Sequence, residues 1–234
     1  MKTIPSIFMA LTLVMLPIFA NIISIDDERK IEYNDPKEQV IIFLNGTSSA
    51  GKSSIAFKLQ EHFKEPMLHV GCDHFSAMMH PKYFSNGLHA DQGYSLIPET
   101  SKPMPAFSIH KGPVGYQLSY AMHRAMKSLA DNGFDLVIDE VLFAEDDFLD
   151  YQNIFHDYRV YFIAVKPPLE VVEQREIERG DRVIGLARGL YDHVYMNKSY
   201  DMEIDSSKMT PDESATEIME YIDAHPYPRG LQSN

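Results

Sequence analysis

The chain has 234 residues, 44% of them hydrophobic and 24% charged, with a formal net charge of −13. That length and apolar content suit one well-cored catalytic domain and give no sign of general disorder. The acidity argues against an unspecific grip on nucleic acid or on an anionic membrane, so an anionic ligand needs a local cluster of cations. Cys72 is the only cysteine, which excludes an intramolecular disulfide framework and a multi-cysteine metal site; it reads as a small buried apolar residue.

Residues 1–20 combine Lys2, an apolar run from Ile7 to Phe19 and Ala20 before Asn21, the pattern of a secretory signal. The uncharged run from Ile4 to Ile25 would also serve as an uncleaved membrane anchor, although Pro5 and Pro17 weaken it as a helix. A start assigned too far upstream is the third alternative and would leave a cytoplasmic protein. Export to the periplasm or medium is the expectation. A polar linker follows over 21–39, then one domain over 40–225 and a short tail over 226–234.

Val40 to Leu44 form a short continuous apolar run, as a strand buried on both faces requires. A glycine-rich turn follows at once, and Ile55, Ala56 and Leu59 then recur at helical spacing. "MLHVGCD" predicts a second strand ending at Asp73, and a helix is expected from about Gly115 to Asn132. "FDLVIDEVLF", "RVYFIAVKPP" and "DMEIDSS" predict three more strands. Strands alternating with helices imply a parallel sheet covered by helices on both faces. The stretch from Met79 to Pro113, rich in proline and glycine, reads as a long irregular insertion of the kind that binds substrates.

The turn itself carries chemistry. Gly46, Thr47, Ser48, Ser49, Ala50, Gly51, Lys52 and Ser53 match G-x-x-x-x-G-K-[ST] in full, with Ser54 continuing into the helix. Glycines let backbone N–H groups wrap a phosphate while the helix aims its positive end at the same point. Lys52 would reach the β- and γ-phosphates of ATP, and the Ser53 hydroxyl would ligate Mg²⁺. Asp139 and Glu140 close the third strand, where P-loop proteins place the acid that holds the magnesium; Asp139 is preferred, and a solvated strand end is the competing reading.

Further along, "QREIERGDRVIGLARG" spaces Arg175, Arg179 and Arg182 by four and three, so one helix would stack them along one side. Arginine forks suit phosphate oxygens as charge develops in phosphoryl transfer. The alternative is an ion-pair network with Glu170, Glu173, Glu176, Glu178 and Asp181, and Arg188 is a weaker phosphate candidate. Asp73, at the mouth of the sheet, would accept a proton from a substrate hydroxyl; its other reading is the N-cap of a helix over "HFSAMM". The histidines show no metal-ligand spacing and read as surface or supporting groups, His74 beside Asp73 being the one to test.

Taken together, "IIFLNGTSSAGKSS", "HVGCDHF", "LVIDEVLF", "ERGDRVIGLA" and "YDMEIDSSKMTPDESA" resemble the chloramphenicol phosphotransferase family of P-loop kinases, in order from about Val40 to Ile222. The resemblance implies an α/β fold: a nucleotide-kinase-like three-layer sandwich with a five-stranded parallel sheet and a small lid. It also implies ATP-dependent phosphorylation of an antibiotic hydroxyl. By position, Gly46 to Ser54 match the nucleotide loop, Asp73 the base, Asp139 the strand-end acid, and Arg179 and Arg182 the lid arginines. The family pattern has no counterpart of residues 1–25, and the match is poor from His80 to Pro113.

The expected partner is therefore a small hydroxylated substrate, with no nucleic acid, no membrane unless the leader is an anchor, and an open oligomeric state. Met78, Met79, Met104, Phe84, Phe107, Tyr94 and Tyr116 are candidates for an apolar acceptor pocket or for core. A Mg²⁺-dependent ATP phosphotransferase is the leading reading. Its alternatives are a protein, nucleoside or sugar acceptor, or a nucleotide-binding ATPase module with no acceptor.

Overall fold

A computed structural model describes residues 38–233; the expected leader (1–20) and most of the expected linker (21–39) lie outside the described residues. In chain order the elements are β1 (Val40–Asn45), α1 (Lys52–His62), β2 (Met67–Gly71), α2 (Cys72–Ser76), β3 (Phe84–Ser85), β4 (Tyr94–Pro98) and β5 (Phe107–Lys111). There follow α3 (Pro113–Asp131), β6 (Asp135–Glu140), α4 (Glu145–Ile154), β7 (Arg159–Val165), α5 (Leu169–Arg179) and α6 (Leu186–Tyr195). The last are β8 (Lys198–Ser199), β9 (Met202–Ile204), α7 (Pro211–Ala224) and β10 (Gln232–Ser233).

Five of the strands form a sheet in the order β2-β6-β1-β7-β9, and every pairing in it is parallel. Central β1 is buried at all six positions. Its alternate residues serve two separate cores, as the two-residue period of a strand demands. Val40, Ile42 and Leu44 meet Ile55 and Leu59 of α1 and Ile218 and Ile222 of α7. Ile41 and Phe43 meet Met122 and Met126 of α3 and Phe148 and Tyr151 of α4. Helices thus cover both faces, and the fold is the expected α/β sandwich. Because β1 has β6 on one side and β7 on the other, the crevice at the carboxyl ends of these strands opens where the strand order reverses.

Two expectations need correction. The second strand stops at Gly71, short of Asp73, and Cys72 already begins α2. Gly71 lies so close to β6 that an added Cβ would sit 2.2 Å from the Asp139 carbonyl oxygen, and the chain turns away there. The stretch from Met79 to Pro113 is not irregular: it holds a three-stranded sheet, β3-β4-β5, with β4 and β5 antiparallel from Tyr94↔Lys111 to Pro98↔Phe107. Its strands are only two to five residues long, and the segments between them are rich in proline and glycine, so their alternation is hard to read in sequence. At the other end of the domain, the chain beyond α7 folds back: β10 pairs with β8, and the Arg229 and Gly230 amides donate to the Asp201 carboxylate.

Candidate active site

Between β1 and α1 the backbone makes the tight loop that the glycine spacing predicts. Gly51 caps α1 in the left-handed region, at φ 99°, a conformation that favours glycine. Ser48 to Ser54 line a cleft of about 1030 Å³; Gly46 and Thr47, at the start of the loop, do not. Lys52 is buried at 6% exposure, and its Nζ donates to the Gly46 and Thr47 carbonyls at 2.9 and 3.0 Å. The ammonium is thereby centred in the loop, 3.5 Å from Asp139 Oδ1.

Asp139, next to last in β6, is in register with Leu44 of β1 and Gly71 of β2. Its Oδ2 accepts from the Ser53 hydroxyl at 2.5 Å, and His69 Nε2 stands 3.6 Å from it. Burial alone would raise its pKa, but the Lys52 charge and the nearby His69 and Ser53 outweigh it, holding the carboxyl far below the usual range. Neighbouring Glu140 has the opposite fate: burial and the charges of Asp147 and Asp139 push it up to about 8, and it accepts from the Tyr151 hydroxyl at 3.2 Å. Of the two acids, Asp139 alone is an ionised carboxylate beside Ser53 near neutrality. A hydroxyl and a carboxylate side by side are hard oxygens of the kind Mg²⁺ takes. Among the described residues no group of three or more His, Cys, Asp or Glu could hold a metal, so a cation here would complete its shell with phosphate oxygens and water.

The arginines do not stack on one helix. α5 ends at Arg179, Gly180 takes a left-handed φ of 68°, and Arg182 lies in the loop before α6. Arg182 donates to Asp73 Oδ2 at 2.9 Å, although 109 positions separate them. Arg179 pairs with Asp181 at 3.2 Å, and all four side chains face the cleft. Asp73 belongs to the first turn of α2 and Gly71 is the N-cap, so the capping role falls to Gly71. Arg188 is held elsewhere, against Glu173 at 2.5 Å and the Pro103 carbonyl at 3.0 Å. His74 lines the cleft with its ring 5.1 Å from that of His69.

Arg175 has a different task. Its guanidinium donates to the Ser206 hydroxyl and carbonyl at 2.9 and 2.8 Å, and Ser206 donates to the Ala50 carbonyl at 2.7 Å. Helix α5 is thus fastened to the phosphate loop through a serine that no motif distinguishes. Glu176, only 1% exposed, accepts from the Gly185 and Ala187 amides at 2.7 and 2.9 Å, so it ties the start of α6 instead of joining a surface ion-pair network.

The far half of the cleft is apolar. Phe84, Tyr94, Leu96 and Ile109 project from β3, β4 and β5, joined by Met122 and Phe143. Cross-strand partners Tyr94↔Lys111 and Leu96↔Ile109 explain this: residues two apart on paired strands share a face. Of the seven apolar candidates, Phe84 and Tyr94 line this wall; Met78, Met79, Met104, Phe107 and Tyr116 do not.

Comparison with known proteins places this geometry. Residues 39–223 match the family described as chloramphenicol phosphotransferase-like protein. An inferred O-phosphotransferase of Mycobacterium tuberculosis (strain ATCC 25618 / H37Rv) is 31% identical over 192 residues, covering 82% of this chain and 85% of the relative. Among solved structures, the M. tuberculosis APS kinase CysC with AMPPNP and APS has a TM-score of 0.54 at 17% identity, covering 79% of this chain and 98% of that one. Shikimate kinase from Acinetobacter baumannii with shikimate has a TM-score of 0.54 at 13% identity, covering 81% and 96%. The tunicamycin resistance protein of Deinococcus radiodurans has a TM-score of 0.52 at 14% identity, covering 79% and 95%. At these identities the structural likenesses establish the shared fold. The chain belongs to the chloramphenicol phosphotransferase-like family, and it is an ATP-dependent phosphotransferase acting on a small-molecule hydroxyl.

Proposed function

We propose that Gly46 to Ser54 seat the phosphates of ATP, that Ser53 and Asp139 hold Mg²⁺ beside them, and that Asp73 takes the proton of the acceptor hydroxyl. The observation that carries this reading is the opening of two clusters, Lys52–Ser53–Asp139 and Asp73–Arg182, onto one cleft. Backbone N–H groups at the start of α1 and the Lys52 ammonium meet phosphate oxygens. Mg²⁺ held by Ser53 and Asp139 would supply charge neutralisation for the phosphates. As the acceptor oxygen attacks the γ-phosphorus, its proton passes to an Asp73 oxygen and ADP departs. Arg182 and Arg179 face the same space, where they stabilise charge spreading over the transferred group.

Acceptor identity belongs to the same proposal: a small hydroxylated molecule with an apolar body, the antibiotic of the family description being one member of the class. The test is to incubate protein lacking residues 1–20 with Mg-ATP and a panel of hydroxylated metabolites and antibiotics, chloramphenicol included. A gain of about 80 Da, one phosphoryl group, on a panel member is the expected result. ATP consumption with no modified compound would overturn it.

Export is the second part. The support is the leader, with its Lys2, apolar run and Ala20. Among the described residues no helix is long and apolar enough to cross a membrane. N-terminal sequencing of protein from the medium and from washed cells is expected to find the chain starting after Ala20; intact Met1 on active cytoplasmic protein would overturn it.

A further inference from the structure

At the phosphate end of the cleft, one enclosed ring nitrogen is left without a partner. His69, on β2, lines the cleft, and its Nε2 is buried with no hydrogen bond among the described residues. It stands 3.6 Å from Asp139 Oδ2, too far for a hydrogen bond. Strand register explains why the two approach. β2 and β6 run parallel, with His69 beside Val137 and Gly71 beside Asp139. Residues two apart on a strand share a face, so all four belong to the side of the sheet where Val137 packs with Ile55 and Leu59 of α1. Gly71 is the one of the four with no side chain, and an added Cβ would sit 3.2 Å from that of Asp139. The space it leaves is the path along which His69 reaches forward to the carboxylate. The His74 ring packs edge-on against the His69 ring, at an interplanar angle of 86°.

Packing gives no reason for an imidazole at this place. A buried nitrogen without a partner costs free energy, and a leucine there would carry no such cost. The needs of Asp139 do give a reason. Its Oδ1 faces Lys52 at 3.5 Å, and its Oδ2 accepts from Ser53 at 2.5 Å. A carboxylate oxygen has two lone pairs, so Oδ2 has room for a second donor. His69 Nε2 is placed to be that donor, and a shift of about 0.6 Å would bring it to hydrogen-bond length. Hydrogen bonds among catalytic groups are often long before ligands enter and tighten in the complex. Both the Nε2–H tautomer and the imidazolium supply the proton, so the contact does not depend on a titration.

We propose that His69 is a positioning residue of the metal site: in the complex with Mg-nucleotide its Nε2 donates to Asp139 Oδ2 and keeps the carboxylate turned toward Ser53. Lys52 and His69 then grip the two carboxylate oxygens from separate elements, α1 and β2. The proposal rests on the reading of Ser53 and Asp139 as the holders of Mg²⁺ and adds the group that orients one of them. Loss of such an outer partner typically costs about tenfold to a hundredfold in metal affinity.

The experiment measures AMP-PNP affinity by calorimetry in EDTA and across a range of Mg²⁺ concentrations, for the unaltered protein, His69→Leu, His69→Gln and Asp139→Asn. His69→Leu is expected to raise the Mg²⁺ concentration that gives half of the metal-dependent gain in affinity by about tenfold, with affinity in EDTA unchanged. His69→Gln keeps an N–H donor near the Nε2 position and is expected to return within about threefold of the unaltered protein. An unchanged Mg²⁺ requirement in folded His69→Leu, a loss of affinity equal with and without metal, or a Gln variant no better than Leu would overturn the role of His69. Should His69→Leu fold poorly, ¹⁵N spectra of the histidine rings in the unaltered protein give a second measure. There His69 Nε2 is expected to carry a proton in slow exchange with solvent once Mg-AMP-PNP is bound, and an unprotonated Nε2 would overturn the proposal. Asp139→Asn separates the two readings, since it is expected to raise the Mg²⁺ requirement at least as far as His69→Leu does. A raised requirement in Asp139→Asn with an unchanged one in His69→Leu would sink His69 alone; an unchanged requirement in Asp139→Asn would overturn the metal-site reading of Asp139 together with this one.

Discussion

The two halves of the cleft are built in opposite ways. The phosphate side comes from consecutive residues, Ser48 to Ser54, whose recognition groups are largely backbone N–H and one lysine. The acceptor side draws Phe84, Tyr94, Ile109, Lys111, Phe143 and Asp147 from separate elements. A phosphate is the same ion in every nucleotide, so a short rigid loop suffices for it. An acceptor is recognised by shape and side-chain chemistry, which needs a wall assembled from distant segments.

If that division is right, damage to each half has its own kinetic signature. The largest effect is expected at the junction of the halves: Asp73→Asn should lower kcat by about 10² to 10⁴ while AMP-PNP still binds, since Asn keeps the shape but takes no proton. A loss below threefold would remove Asp73 from the chemistry and leave it as the partner of Arg182. Next, Lys52→Ala should cost about 10² to 10³ in kcat, the scale of a lost electrostatic donor, and should weaken AMP-PNP binding with no change in the acceptor KM. Turnover and melting measured side by side separate this from misfolding.

Arg182→Ala should lower kcat by about tenfold to a hundredfold, more than it changes the KM for ATP, as expected for a charge-assisted contact stronger in the transition state. An effect on melting alone would return Arg182 to a purely structural pair with Asp73. The smallest effect is expected at the fastening between α5 and the phosphate loop. Ser206→Ala removes the bonds to Ala50 and Arg175. It should cost about 1 kcal/mol of stability, a few degrees in Tm, and raise the KM for ATP modestly. A larger change in the acceptor KM than in the ATP KM would blur the division between the halves.

The same division explains what could be read from the residues alone. The loop over 46–54 is legible because its chemistry is sequence-local: two glycines at a set spacing, a lysine and a serine, between a strand and a helix. The β3–β5 sheet is not, because strands of two and five residues carry too little alternation to stand out. Ser206 is not legible in this way, since a serine after a strand has no distinguishing pattern. Glu176 reads as part of an ion-pair network because a glutamate among charged neighbours on a helix looks solvated, while in the fold it is buried on two amides. The break of α5 at Gly180 was within reach, since glycine in the left-handed region is a common helix end.

By itself, the order of residues determined the strands of the five-stranded sheet, the phosphate loop, and the presence of an acid at the end of β6. These depend on hydrophobic period, glycine freedom and neighbours within a turn or two, all short-range effects. Only the tertiary structure decided which distant side chains meet: Arg182 with Asp73, 109 residues apart, and Lys111 with Asp147, 36 apart. Such meetings follow from the strand order β2-β6-β1-β7-β9 and from the packing of two cores on one sheet. That order is selected by burial summed over the whole domain, a quantity no single segment carries.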